Sequence, residues 1–203
     1  MSVPTSPVPL GGVRVRPGTT ADACAVARLH VSTITEGFLP TLGERFLRLL
    51  YRRIARSPHG VLIVADDGAR PAGFVAATTD VAALYRSFLV RDGLAAALVA
   101  APRLARSWRR ALETLRYPGT AAGLPAAEIL AVAVSASHRS RGLGRCLVAT
   151  AVEELRARGV PAAKVVAASH NRPALALYRG CGFSRATSIE IHPGVTSEVL
   201  TWP

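Results

Sequence analysis

Residues 128 to 144 read Glu128-Ile-Leu-Ala-Val-Ala-Val-Ser-Ala-Ser-His-Arg139-Ser-Arg141-Gly142-Leu-Gly144, and the rest of the chain is organised around them. The stretch opens as an apolar run of small and β-branched residues, then turns polar and basic. A helical pattern follows at once, with Leu147, Val148, Ala151, Val152 and Leu155 on one side and Glu153, Glu154, Arg156 and Arg158 on the other. The pattern predicts a strand, a tight glycine-containing turn and a helix N-terminus. The first amides of a helix have no partner inside it, and the dipole there is positive, so a phosphate fits that end. Gly142 and Gly144 let the backbone turn sharply and an anion approach, and Arg139, Arg141 and Arg145 add positive charge. Arg-x-x-Gly-x-Gly is neither the six-residue dinucleotide fingerprint nor the Gly-Lys-Ser/Thr loop of nucleoside triphosphatases.

The chain has 203 residues, half of them hydrophobic, which suits one domain with a sizeable core. Residues 1–12 hold three prolines and no basic residue, and read as a flexible tail ahead of a domain at 13–203. The longest apolar run, Leu94 to Ala101, stops at Pro102, too short to span a bilayer. With no targeting pattern, a cytoplasmic protein is expected. Net charge is +12, a balance that favours anionic partners: phosphorylated small molecules, nucleic acid or acidic lipid. Lys164 is the only lysine, so coding bias towards arginine accounts for part of that charge. Cys24, Cys146 and Cys181 are widely separated and predict reduced, buried thiols, with neither a disulfide framework nor a zinc site.

In chain order, Val13 to Arg16 alternates as a first strand. Thr19 or Thr20 can cap a helix to about Val31. Ile34 to Leu42 reads as a loop or broken helix. A second helix spans about 43–57, with Phe46, Leu49, Leu50 and Ile54 as its expected buried stripe. Val61–Ala65 and Ala72–Thr79 form a hairpin around Asp66-Asp67-Gly68. Residues 80–127 read as a helical insertion in two pieces, about 81–91 and 94–116, broken near Pro102, then a loop from Tyr117 to Pro125. This insertion is strongly basic: a solvated face, a lid that recruits an anionic substrate, and a surface that touches membrane all remain open. Strand 128–135, helix 143–158 and strand 163–167 make a right-handed parallel unit. Asn171 caps the next helix with Pro173 in its first turn, and two last strands flank Pro193-Gly194.

Two motifs then stand in order: strand, Arg-x-x-Gly-x-Gly, helix; and Asn171-x-x-Ala174-x-x-Leu177-Tyr178-x-x-x-Gly182-Phe183. Together they resemble the GCN5-related N-acetyltransferase (GNAT) superfamily. The resemblance implies an α/β fold (α+β in some schemes). Its sheet would be mixed, mostly antiparallel and twisted, of about six to seven strands with flanking helices. The parallel unit lies at its centre, with the insertion between the third and fourth strands. It implies acetyl-CoA as cosubstrate and no metal. The diphosphate would rest on backbone amides of Arg139, Ser140, Arg141, Gly142, Leu143, Gly144 and Arg145. The pantetheine arm would lie along Val132, Ala133 and Val134, with Asn171, Ala174 and Tyr178 flanking the cofactor. Tyr178 would protonate the departing thiolate, and Glu128 matches a general-base position, where partial burial would tune its carboxyl. Glu36 is a rival base, and Glu36 and Phe38 lie where the family's acceptor site is lined. An oxyanion donor is expected in a strand amide, that of Val134.

The expected activity is acetyl transfer to a primary amine of a small molecule, an amino sugar or a phosphorylated amine. A protein or peptide amine and a non-catalytic CoA-binding module are the alternatives. No specific nucleic acid is expected, because aromatics are not interleaved with the basic residues. No stable membrane insertion is expected, and a homodimer is allowed.

Overall fold

The computed structural model describes residues 9–10, 12–35, 37, 39–116, 123–192 and 195–203; for 9–10, 102–116, 191–192 and 195 it describes the backbone alone. The elements in order are β1 (Pro9–Leu10), β2 (Val13–Pro17), α1 (Ala23–Thr33), a 3-10 turn at Leu39–Leu42 and α2 (Glu44–Arg56). Then come β3 (Gly60–Asp66), β4 (Pro71–Thr78), α3 (Val81–Arg116), β5 (Ala127–Val134), a 3-10 turn at Ala136–His138 and α4 (Leu143–Ala157). β6 (Ala163–Ala168), α5 (Arg172–Arg179), β7 (Ser184–His192) and β8 (Val195–Trp202) complete the chain.

The strands form one sheet in the order β1-β2-β3-β4-β5-β6-β8-β7. Every neighbouring pair is antiparallel except β5–β6, which is parallel. A parallel pair needs a crossover, and α4 supplies it. The two-residue β1 hooks onto β2 and adds a strand to the expected six or seven.

Both faces of the sheet are covered, which is why β3 and β4 are apolar almost throughout. Side chains alternate between two cores. Val61, Ile63, Val75, Ile129 and Val165 pack beneath α4 with Leu147, Ala151 and Leu155. Leu62, Val64, Phe74 and Ala76 pack on the other face against α1, α2 and the start of α3.

Three sequence expectations need correction. The buried stripe of α2 is Leu47, Leu50, Tyr51 and Ile54, while Phe46 and Leu49 lie at its edge. The helix is turned by one position because Tyr51 takes a buried slot against Phe74 (ring centroids 5.2 Å apart) and His30. Helix α1 starts at Ala23 with Asp22 at its N-cap, and Thr19 instead donates its N–H and hydroxyl to the Asp22 carboxylate (2.7 and 2.9 Å). The insertion is a single helix of 36 residues that runs through Gly93 and Pro102. A proline inside a helix costs about 3 kcal/mol, a sum that a long alanine- and leucine-rich helix packed on α2 can absorb. Most of the loop expected at 117–125, residues 1–8 and 11 of the expected tail, and the Pro193-Gly194 turn lie outside the described residues; Pro9–Leu10, expected as tail, instead pair with β2 as a strand.

Candidate active site

β5 and β6 begin together and then part. They pair at Ala127↔Ala163, Glu128↔Lys164 and Ile129↔Val165, and no further. β5 continues to Val134, held by β4 as far as Gly73↔Val134; β6 continues to Ala168, held by β8 as far as Ser197. A wedge-shaped gap therefore opens between two strands whose outer sides are both fixed. The separation coincides with a β-bulge. Ala76 pairs with Ala131 but Ala77 pairs with Ile129, so Leu130 is the extra residue. Leu130 and Ala131 both pack on the α1/α2 side as a result, while Val132 and Val134 face α4.

Beyond Ile129 the gap side of β5 is not paired with β6, so it can receive an extended chain. Ser135 N–H donates to Ala72 O, so alternation turns the N–H and C=O of Val134, and of Val132 two residues earlier, towards the gap. Arg139 Nε donates to the Val134 carbonyl at 3.3 Å, which ties the phosphate-type turn back to the strand.

At the mouth of the gap stands the N-terminus of α4. The turn leading into the helix carries two left-handed residues, Ser140 (φ 61°) and its N-cap Gly142 (φ 77°). Ser140 is the one non-glycine residue with positive φ among the described residues, a conformation that costs about 1–2 kcal/mol. Residues held so at a helix start aim successive amides to one side, making an anion-binding nest. Cys146 N–H bonds Gly142 O, so the amides of Leu143, Gly144 and Arg145 precede the helical ladder. A Cβ added to Gly142 would meet nothing within 4 Å, whereas one on Gly144 would touch Leu177 (3.5 Å) and Val134 (3.8 Å). Gly142 thus borders open space, and a Cβ at Gly144 would make ordinary contact with the side chains of α5 and the end of β5. Arg139, Arg141 and Arg145 are all exposed around the turn.

Helix α5 forms the other wall. Asn171 is its N-cap, with Oδ1 accepting from Ala174 N–H at 3.1 Å, as the sequence predicts. Tyr178 is 6% exposed and lies edge-on to Phe183, ring centroids 5.9 Å apart. Burial pushes its phenol well above the ordinary tyrosine value, and Cys181 and Glu128 add to that shift. The phenol therefore stays protonated through the neutral range, as a proton donor must. The influence of Glu128 on Tyr178 brings the two candidate catalytic residues into electrostatic reach of each other. Tyr85 of α3 feels Glu128 as well, so the insertion reaches the same region.

Glu128 is 7% exposed at the closed end of the gap, with Oε2 3.5 Å from Lys164 Nζ. Lys164, 3% exposed, also donates to Pro125 O. This counter-charge is absent from the sequence reading; a lone lysine inside an apolar strand was the available signal. Glu36 and Phe38 lie outside the described residues. The sequence reading also passes over the turn before the nest, where His138 Nδ1 meets Ser135 Oγ (2.8 Å) and Ser137 Oγ (3.0 Å) and Nε2 lies 3.8 Å from Asp67. No cluster of three metal-ligating side chains occurs among the described residues. Cys24, Cys146 and Cys181 are free thiols, half-buried where the sequence predicts buried ones.

A family model described as the acetyltransferase (GNAT) family matches residues 30–183, about three quarters of the chain. The chain belongs to the GNAT family. That family is described as one of acetyltransferases. The parted strands, the bulge and the turn before α4 leave a gap with an open, basic end and room at the turn. Among curated proteins, a mycothiol acetyltransferase from Nocardioides sp. is 37% identical over 68 residues, 34% of this chain and 23% of that protein. The chain thus spans about a quarter of the length of that relative. Among solved structures, the ribosomal-protein-S18-alanine N-acetyltransferase of Escherichia coli aligns over 93% of this chain and 92% of that one, with TM-score 0.60 and 15% identity. Arabidopsis thaliana NAA60 in complex with acetyl-CoA aligns over 94% and 97%, with TM-score 0.59 and 18% identity. At such identities these two structures speak for the fold.

Proposed function

We propose that this GNAT protein moves the acetyl group of acetyl-CoA to a primary amine of a small molecule, an amino sugar or a phosphorylated amine. The observation that carries the proposal is the parting of β5 from β6 after Ile129 and Val165, directly below the free amides of α4. The amides from Arg139 to Arg145 hold the diphosphate, with the exposed arginines as counter-charge. The gap-facing backbone of Val132 and Val134 holds the pantetheine arm, with Ala133 between them, and Asn171 and Ala174 border its far side. Holding amine and thioester in one gap removes much of the entropic barrier.

The amine must be neutral to attack, so a carboxylate has to take its proton. Glu128 does this, directly or through water, from the closed end of the gap; Glu36 is the alternative. As the new C–N bond forms and the C–S bond breaks, Tyr178 gives its phenolic proton to the leaving sulfur. The Val134 N–H donates to the carbonyl oxygen as charge gathers there. Glu36 and Phe38 contact the acceptor.

The partial likeness to mycothiol acetyltransferases supports a small-molecule acceptor, and the net charge of +12 supports one that carries phosphate. A thiol-release screen tests this, with acetyl-CoA against amino sugars, sugar phosphates bearing an amine, polyamines, amino acids, N-terminal peptides and the amine substrate of mycothiol acetyltransferase. Turnover with a small amine is the expected result. Turnover confined to peptides would overturn the acceptor class, and acetyl-CoA binding with no turnover on any amine would favour a non-catalytic module.

A further inference from the structure

We propose that the outer face of α3 rests on an anionic lipid surface. The inner face of this helix is spent on the fold: Val81, Leu84, Phe88, Ala96 and Ala100 are buried, with Leu84, Phe88 and Ala96 in the core shared with α2. Its outer face carries Leu89, Val90, Leu94 and Leu98, exposed by 54%, 80%, 79% and 70%. Val90, Leu94 and Leu98 are spaced by four residues and so form one line along the helix. Single exposed leucines are ordinary, but a line of branched aliphatic side chains on one helix is an unpartnered apolar face. In the sequence the four-residue spacing breaks at Pro102 and resumes at Leu104, Trp108 and Leu112.

Charge selects the occupant. Between Val81 and Arg116 there are seven arginines and two acids, Asp92 and Glu113, a net of +5. Asp92 is turned inward, with Oδ2 2.6 Å from Arg53 Nε of α2, so it does not offset Arg86 and Arg91, which stand exposed along the same helix. A second copy of this chain would bring the same cationic surface and be repelled. An apolar line with cationic flanks on a convex helix suits lipid: the aliphatic groups enter the headgroup boundary while the guanidiniums remain at the phosphates. At about 1.5 Å per residue α3 is about 54 Å long, enough to lie along a membrane as a rail. Such contact is peripheral, since among the described residues no helix is long and apolar enough to cross a membrane.

Co-sedimentation with sucrose-loaded vesicles tests the proposal. The whole chain is mixed with vesicles of phosphatidylcholine alone or of equal parts phosphatidylcholine and phosphatidylglycerol, at low and at near-physiological salt. The expected result is at least about tenfold stronger binding to the anionic vesicles, weakened by salt. The doubly substituted Leu94→Asp, Leu98→Asp chain should lose that binding at least tenfold while keeping its thermal midpoint, because both side chains are exposed. Absence of binding to the anionic vesicles would overturn the proposal. So would equal binding by the substituted chain, or a dimer in sedimentation equilibrium that the same substitutions dissolve.

Discussion

Glu128 and Lys164 face each other across the middle rung of the only parallel pairing in the described sheet, Oε2 to Nζ 3.5 Å, and both side chains are buried. The strands separate one residue later. The ion pair therefore sits where the parallel pairing ends and the gap between β5 and β6 begins. A buried carboxylate stripped of its counter-charge typically costs 3–5 kcal/mol. Lys164→Met should lower unfolding free energy by about 3 kcal/mol in urea, and adding Glu128→Gln should restore part of that loss. A double-mutant cycle without coupling would mean that the two charges act independently.

Glu128→Gln tests catalysis separately, since it keeps the volume of the side chain. If Glu128 takes the amine's proton, kcat should fall about 100-fold or more, with the KM for acetyl-CoA changed little. The same loss in Glu36→Gln, with Glu128→Gln unaffected, would move the role to Glu36.

Tyr178→Phe keeps the ring and its edge-on contact with Phe183. Stability should change by less than about 1 kcal/mol, whereas kcat should fall by about two orders of magnitude. Unchanged turnover would remove Tyr178 as the proton donor.

Gly142 adopts φ 77° beside open space, so two substitutions separate strain from charge. Gly142→Ala should cost about 1 kcal/mol of stability through its backbone conformation without a clash. Gly142→Asp should cost a similar amount and in addition weaken acetyl-CoA binding about tenfold or more by placing a negative charge at the nest. Equal affinities for the two variants, measured by calorimetry, would argue against phosphates at this turn.

His30 supplies a pH dependence. It is 2% exposed, its Nδ1 lies 2.5 Å from the Tyr51 hydroxyl, and its Nε2 is buried without a hydrogen bond among the described residues. Burial lowers its pKa from 6.5 to about 4. Between those values the unfolded chain binds a proton that the folded chain refuses, so stability falls as pH drops from 6.5 towards 4. The integrated loss is roughly 3 kcal/mol. Urea melts across this window should show that slope, and His30→Gln should remove it. A flat profile in the parent chain would contradict the assignment.

Much of this was legible before the structure, for local reasons. The strand, the turn at Arg139–Gly144, helix α4 and the Asn171 cap are each written in a few adjacent residues. The sequence missed what depends on distant partners. Lys164 finds Glu128 through strand pairing, and the bulge at Leu130 exists only against β4. The rotation of α2 follows from Tyr51 meeting Phe74 and His30, residues far apart in the chain. Pro102 marks a break by local rules, yet α3 runs through it, held over its earlier turns by α2.

A crystal structure with coenzyme A tests the central claim most directly. The account predicts diphosphate density against the amides of residues 139–145 and an extended arm beside Val132 and Val134, between β5 and β6. Coenzyme A bound elsewhere, with β5 and β6 closed on each other beyond Ile129, would contradict it.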